Sequence, residues 1–261
     1  MGEGSKAAGP AVAETKGFLG FYASELKRLI DPAGPLVVTA IYSLVMLFPY
    51  YHAAFFRWGV LGPEFGTVER TVVDGIWFMA VPLLGIGLLF GLSRISPAAR
   101  RRFPQHRLGD FGCRAGSAVG WRDALVFYLV MLPVIVLAAF QKDFAGTYPL
   151  FALSRETFFY FAVWQGARLV FMAGWEFVHR GFLLFGLERQ MGRWAVLATA
   201  IPFALVHLNK PELEAYGSFV AALVLGWLAL RSRSFLPGMV LHWALALTLD
   251  VCLIVSAGGF G

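Results

Sequence analysis

Apolar residues run along this chain in long blocks separated by short polar breaks. The blocks fall near residues 35–56, 75–93, 123–140, 157–187, 194–208, 216–230 and 235–256. A helix needs about 20 mostly apolar residues to cross a bilayer, because hydrocarbon leaves no backbone polar group a partner outside its own segment. The pattern therefore predicts an all-α, polytopic membrane bundle of about seven to eight transmembrane helices. The fifth and sixth blocks are short, as suits helices enclosed by others. The fourth is too long for one crossing: at about 1.5 Å per residue it would reach roughly 46 Å. It must tilt, break, or project beyond the bilayer.

Ahead of the first block stands MGEGSKAAGPAVAETKG, which has no apolar core of a signal peptide. The next residues, GFLGFYASELKRLI, read as a short amphipathic helix lying on the membrane surface. The chain divides into residues 1–34, a cytoplasmic tail with this interfacial helix, and 35–256, the transmembrane bundle.

Composition agrees with the pattern. The 261 residues are 58% hydrophobic and only 15% charged, where soluble chains average about 25% charged. The net charge of +6 does not indicate nucleic acid, because the basic residues sit in the loops. Arg94, Arg100, Arg101, Arg102, Arg107, Arg114 and Arg122 share one loop, Arg189 and Arg193 another, Arg231 and Arg233 a third. The alternate loops are poorer, with Arg57 and Arg70, then Lys142 and Arg155, then Lys210. The positive-inside rule places the N-terminus in the cytoplasm and the C-terminus outside. Two cysteines, Cys113 and Cys252, make no disulfide framework and read as unpaired.

Ionisable residues inside apolar spans are costly and usually mark function. Here they are Glu176, Arg180, His207, His242 and Asp250. Measured along the helices from their cytoplasmic ends, Glu176 and His207 each lie roughly 20 Å in, His242 roughly 10 Å and Asp250 roughly 22 Å. Three helices thus carry polar groups to overlapping depths. Glu176 and Arg180 are four apart and share a helix face, with His179 beside them. That spacing suits either a self-neutralising ion pair or a carboxylate held to act on water. Glu-x-x-His at 176–179 is half of a metal-site pattern whose second copy is absent.

These residues stand in an order that resembles the CAAX protease and bacteriocin-processing (CPBP) family of intramembrane endopeptidases. Its motifs run Glu-Glu-x-x-x-Arg, then Phe-x-x-x-His, then His with Asn or Asp four residues on. Here the first reads WEFVHRG, with Glu176 and Arg180 in register and Trp175 in place of the leading Glu. The second is complete as FALVH, Phe203 to His207, and the third has His242 but Ala246. The stretch GWLALRSRSFLPGMVLHW also resembles the family's approach to its last His, and the likeness spans about 105–256. The Trp-Glu-Phe variant is similar to the myxosortases, which process C-terminal sorting tails.

The resemblance implies an intramembrane endopeptidase acting on a membrane-anchored protein or peptide, within the lipid bilayer and without a cofactor. In the family the leading Glu and the second motif's His activate water, the second Glu pairs the Arg, and the last His with its Asn or Asp stabilises the oxyanion. With Trp175 and Ala246 at two of those places, Glu176 would stand in for the leading Glu and Asp250 for the Asn or Asp, so the site here would be Glu176, His207, His242 and Asp250, supported by Arg180 and His179. Glu176 would take a proton from water, with His207 orienting it and His242 donating to the oxyanion. Asp250 would either assist His242 or pair with Arg168. His179 is structural or lines a pore. Two other readings use the same residues. One is a non-catalytic peptide-binding or immunity module, favoured by Trp175 and Ala246. The other is a zinc enzyme built on Glu176, His179, His207 and His242.

Overall fold

The structure, a computed structural model, describes residues 33–51, 58–97, 101 and 107–261. The expected amphipathic helix and His52 lie outside these residues. The helices are α1 (Ala33–Tyr51), α2 (Gly66–Ile95), α3 (Ala118–Ala139), the short α4 (Lys142–Thr147), α5 (Phe158–Glu176), α6 (Leu184–Met191), α7 (Trp194–Leu205), α8 (Glu212–Ser232) and α9 (Leu236–Ser256). Among the described residues there is no strand, so the all-α expectation holds.

Among the described residues each of the seven apolar blocks forms helix, but not all are of spanning length. Among the described residues, four helical stretches are long and apolar enough to cross a membrane: Pro63–Ile95, Ala118–Ala139, Glu212–Ser232 and Leu236–Ser256. The apolar helix Trp194–Leu205 is shorter, as its block suggested, but it is not enclosed, since Trp194, Ile201 and Leu205 are exposed; the sixth block, read as short, extends into the spanning-length α8. The second block grows at its start. Residues 66–74 are too polar to join a hydropathy window, yet they are helical because their charges are used. The Glu69 carboxylate accepts from the N–H groups of Gly59, Val60 and Leu61 at 2.6, 3.1 and 2.5 Å.

The over-long fourth block stays helical from Phe158 to Met191 and changes helix type part-way. Residues Phe177–Leu183 form a π-helical segment between α5 and α6. A π turn inserts an extra residue per turn and often sits at functional sites. Every residue from Phe177 to Leu183 is buried, so the change lies in the centre of the bundle.

Two close contacts hold that segment in position. A Cβ at Gly174 would stand 2.0 Å from the Gly75 carbonyl oxygen, and one at Gly75 would stand 2.6 Å from the Phe171 Cα. Backbones of α2 and α5 therefore touch, a crossing that only small residues permit. On the other side, a Cβ at Gly181 would stand 3.0 Å from the Phe111 carbonyl oxygen. The 107–117 loop thus tucks under the π segment, and its Gly112 carbonyl accepts from the Phe235 N–H at 3.4 Å.

That loop fixes where α9 begins. Phe235 packs on Phe177 with ring centroids 5.4 Å apart, so α9 starts beside the π segment rather than level with the end of α6. The unequal depths expected for Glu176 and His242 vanish for this reason. The end of α6 projects past the start of α9, and the two residues lie at one level.

Candidate active site

Glu176 is the last residue of α5 and is fully buried (0% exposed). Its Oε1 accepts a hydrogen bond from His242 Nδ1 on α9 at 2.7 Å. Arg180, one turn on in the π segment, places Nε 3.4 Å from the other oxygen, Oε2. The Glu–Arg pair expected from the sequence therefore exists, and His242 completes it as a third member. Oε2 makes no hydrogen bond among the described residues. Gly238, one turn before His242, leaves room there: a Cβ on it would stand 3.9 Å from Oε2.

One aromatic ring collects the rest. Phe203 on α7 carries the Arg180 guanidinium 4.0 Å above its centroid. The rings of His207, His242 and His179 lie 4.7, 6.1 and 5.2 Å from it, and that of Trp175 5.8 Å. The Phe of Phe-x-x-x-His is thus the surface on which the polar side chains are arranged. His207 follows the last turn of α7, and its Nδ1 bonds the Phe203 carbonyl at 2.7 Å. That geometry assigns the tautomer. With Nδ1–H donating to a carbonyl, Nε2 carries a lone pair. His242 likewise turns its Nδ1 towards an acceptor, the Glu176 carboxylate. Both imidazoles are half-buried rather than sealed.

His179 behaves differently. Its Nδ1 bonds the Trp175 carbonyl at 2.8 Å and its Nε2 meets the Tyr42 hydroxyl at 3.0 Å. Both ring nitrogens have protein partners, and the ring lines no pore because it is fully buried. Among the described residues no three His, Cys, Asp or Glu side chains are grouped to hold a metal. Sequence reasoning misses Tyr42, on α1: a Tyr in an apolar helix carries no signal of which distant residue it will reach.

Asp250 is not brought to this cluster. Its Oδ2 accepts from Trp164 Nε1 at 3.0 Å, from Gln165 Nε2 at 2.8 Å and from Arg168. Arg168 also donates to the Ala246 carbonyl at 3.3 Å. Of the two roles open to Asp250, pairing with Arg168 is the one its carboxylate performs. The carboxylate lies two turns beyond His242, held by three donors from α5. Trp164 and Gln165 had no motif to flag them.

Trp175, at the place of the leading Glu, is buried against Phe171, Phe78 and His179, with centroids 5.5, 5.3 and 4.3 Å away. Its ring also meets that of His207 edge-on at 6.3 Å. It is a wall of the site and brings no proton-transfer group.

Residues 157–248 match the Rce1-like family, described as type II CAAX prenyl endopeptidase Rce1-like. No curated protein and no solved structure matches the chain. The matched stretch runs from the cap of α5 into α9 and takes in Glu176, Arg180, His207 and His242, while Asp250, Tyr42 and Gly75 fall outside it. The match agrees with the CPBP likeness of the motifs. Together with the membrane-spanning helices it supports a membrane-embedded protease in a lipid bilayer.

Proposed function

We propose that this protein is an intramembrane endopeptidase that hydrolyses a peptide bond near the membrane-embedded or C-terminal tail of a protein substrate. The observation that carries this reading is the 2.7 Å bond from His242 Nδ1 to Glu176 Oε1, made between two helices inside an apolar bundle. A carboxylate behind an imidazole fixes its tautomer and stabilises the imidazolium that forms when the ring accepts a proton. In this reading the proton-accepting role belongs to His242, which is half-buried, rather than to Glu176, which is sealed. Glu176 is then a positioning residue acting through His242.

In the proposed reaction a water lies between the Nε2 atoms of His242 and His207. His242 takes its proton while the oxygen adds to the substrate carbonyl. The imidazolium then returns the proton to the departing amine nitrogen as the C–N bond breaks, leaving a carboxylic acid and an amine. His207 orients the water and, like His242, carries its lone pair towards it. Arg180 balances the charge of Glu176 from its place over the Phe203 ring. No cofactor is called for in this scheme. The arginine-rich loops support an N-terminus on the cytoplasmic side of a bacterial plasma membrane.

A second reading has one observation in its favour. Trp175 fills the place of the leading Glu with a packed indole, as would suit a module that holds membrane tails without cutting them. Purified protein in detergent, offered membrane proteins with short C-terminal anchors, separates the two. Cleavage by the wild type should fall about 10²–10⁴-fold in Glu176→Gln, His242→Ala and His207→Ala and be indifferent to a chelator. Tails captured by every form but cut by none would select the binding module.

A further inference from the structure

At the end of the bundle where α6 turns into α7, the neighbouring arginines differ in their commitments. Arg231 places Nε 2.6 Å from Asp123, and Arg233 places Nη1 2.6 Å from Glu188. Arg189 and Arg193 flank the turn at Gly192, which has φ 55°. Neither has an acidic partner among the described residues. Both are exposed.

Directly beside Arg193 lies a groove of about 400 Å³ between α7 and α8, lined by Arg193, Trp194, Val196, Leu197, Leu223 and Trp227. Its floor exists because the two helices touch at Gly226, where a Cβ would stand 2.9 Å from Val196 Cγ1. Its walls are large and turned outward: Trp194 is 72% exposed and Trp227 46%. The Arg193 guanidinium reaches over the Trp227 ring at 5.8 Å. Indoles and a cation at a helix end, above an outward apolar slot, are what the boundary between headgroups and acyl chains selects.

We propose that this groove binds an anionic phospholipid, its phosphate held by Arg193, with Arg189 across the Gly192 turn adding positive charge, and one acyl chain lying between Leu197 and Leu223. Two unpaired cations give the charge complement. The positive N-terminal end of α7 points the same way, and the apolar slot distinguishes a lipid from a free anion. The site is separate from the Glu176–His242 cluster and rests only on the protein lying in a bilayer.

The test is competition between brominated lipids for the full chain in nanodiscs, read as tryptophan quenching and checked by native mass spectrometry. A surface arginine contributes about 1 kcal/mol towards anionic lipid, or about five-fold in affinity. Phosphatidylglycerol should therefore be preferred to phosphatidylcholine, with the preference falling about five-fold in Arg193→Gln and vanishing when Arg189→Gln is added. Arg231→Gln, whose guanidinium is already paired, should leave it unchanged. Trp227→Ala should weaken both lipids alike. Equal affinity for the two lipids, a preference untouched by the double substitution, or displacement by inorganic phosphate would each overturn the proposal. Since Arg189 and Arg193 are exposed, their variants retain the fold, and helix content measured alongside checks this.

Discussion

Glu176 meets His242, and eight residues earlier on α5 Arg168 meets Asp250, eight residues later on α9. The two ties share one antiparallel register, so the ion pair fixes both the rotation and the level of the helix that presents His242. Breaking a buried pair from one side leaves a charge without its counterpart and costs about 3–5 kcal/mol. Asp250→Asn and Arg168→Gln are each expected to lower stability by that order in denaturant titrations of the detergent-solubilised protein. Replacing both by apolar residues of similar volume should cost less than either single change, because no orphaned charge remains.

The crossing of α2 and α5 sets a second expectation. Gly174→Ala drives a methyl into the Gly75 carbonyl, so α2 must shift by more than an ångström next to Trp175 and Glu176. Loss of folded protein in size-exclusion profiles, and of any cleavage by what remains, is expected. Gly166, on the same helix, faces open space: a Cβ added there would meet nothing within 4 Å. Gly166→Ala should be neutral or stabilising by up to about 1 kcal/mol.

Tyr42→Phe removes one hydroxyl, and with it the partner of a fully buried imidazole nitrogen. A stranded buried polar group costs about 1–3 kcal/mol. The melting temperature should fall accordingly, and His179→Phe on the Tyr42→Phe background should restore part of it. If His179 held a metal instead, His179→Phe would release that metal. Metal analysis before and after the substitution decides the point.

Cys113 lies in the loop beneath the π segment, and burial pushes its thiol up to about 11. The nucleophilic thiolate is therefore scarce at neutral pH. In a Cys252→Ser background, alkylation by iodoacetamide should be slow at pH 8 and keep accelerating towards pH 11, where an exposed thiol levels off near 8.5. The sign is fixed by burial: a raised value means the protonated form persists to higher pH.

The long apolar helices were legible because hydropathy reports them directly, though not the short α4 or the polar start of α2, and the Glu176–Arg180 pair because four residues make one turn. The partner of each polar residue was less so. His242 and Asp250 looked equivalent on one helix, and only the register of α9 against α5 sends one to Glu176 and the other to Arg168. That register depends on the 107–117 loop lifting the start of α9, and loop length alone does not encode it. The π segment left no mark in the sequence either, since an inserted residue changes the period only locally. Tyr42 and Gly75 belong to helices outside the recognisable motifs and enter the site through contacts that no spacing announces.

Phe203 has a consequence of its own. Because Arg180, His207, His242, His179 and Trp175 all rest on one benzene ring, they share a single foundation and are not independent parts. Substitutions among them will interfere rather than add, as expected for side chains in mutual contact. A chain that drifted to a smaller residue at this position would lose the whole constellation at once, with every one of its polar groups still in the sequence.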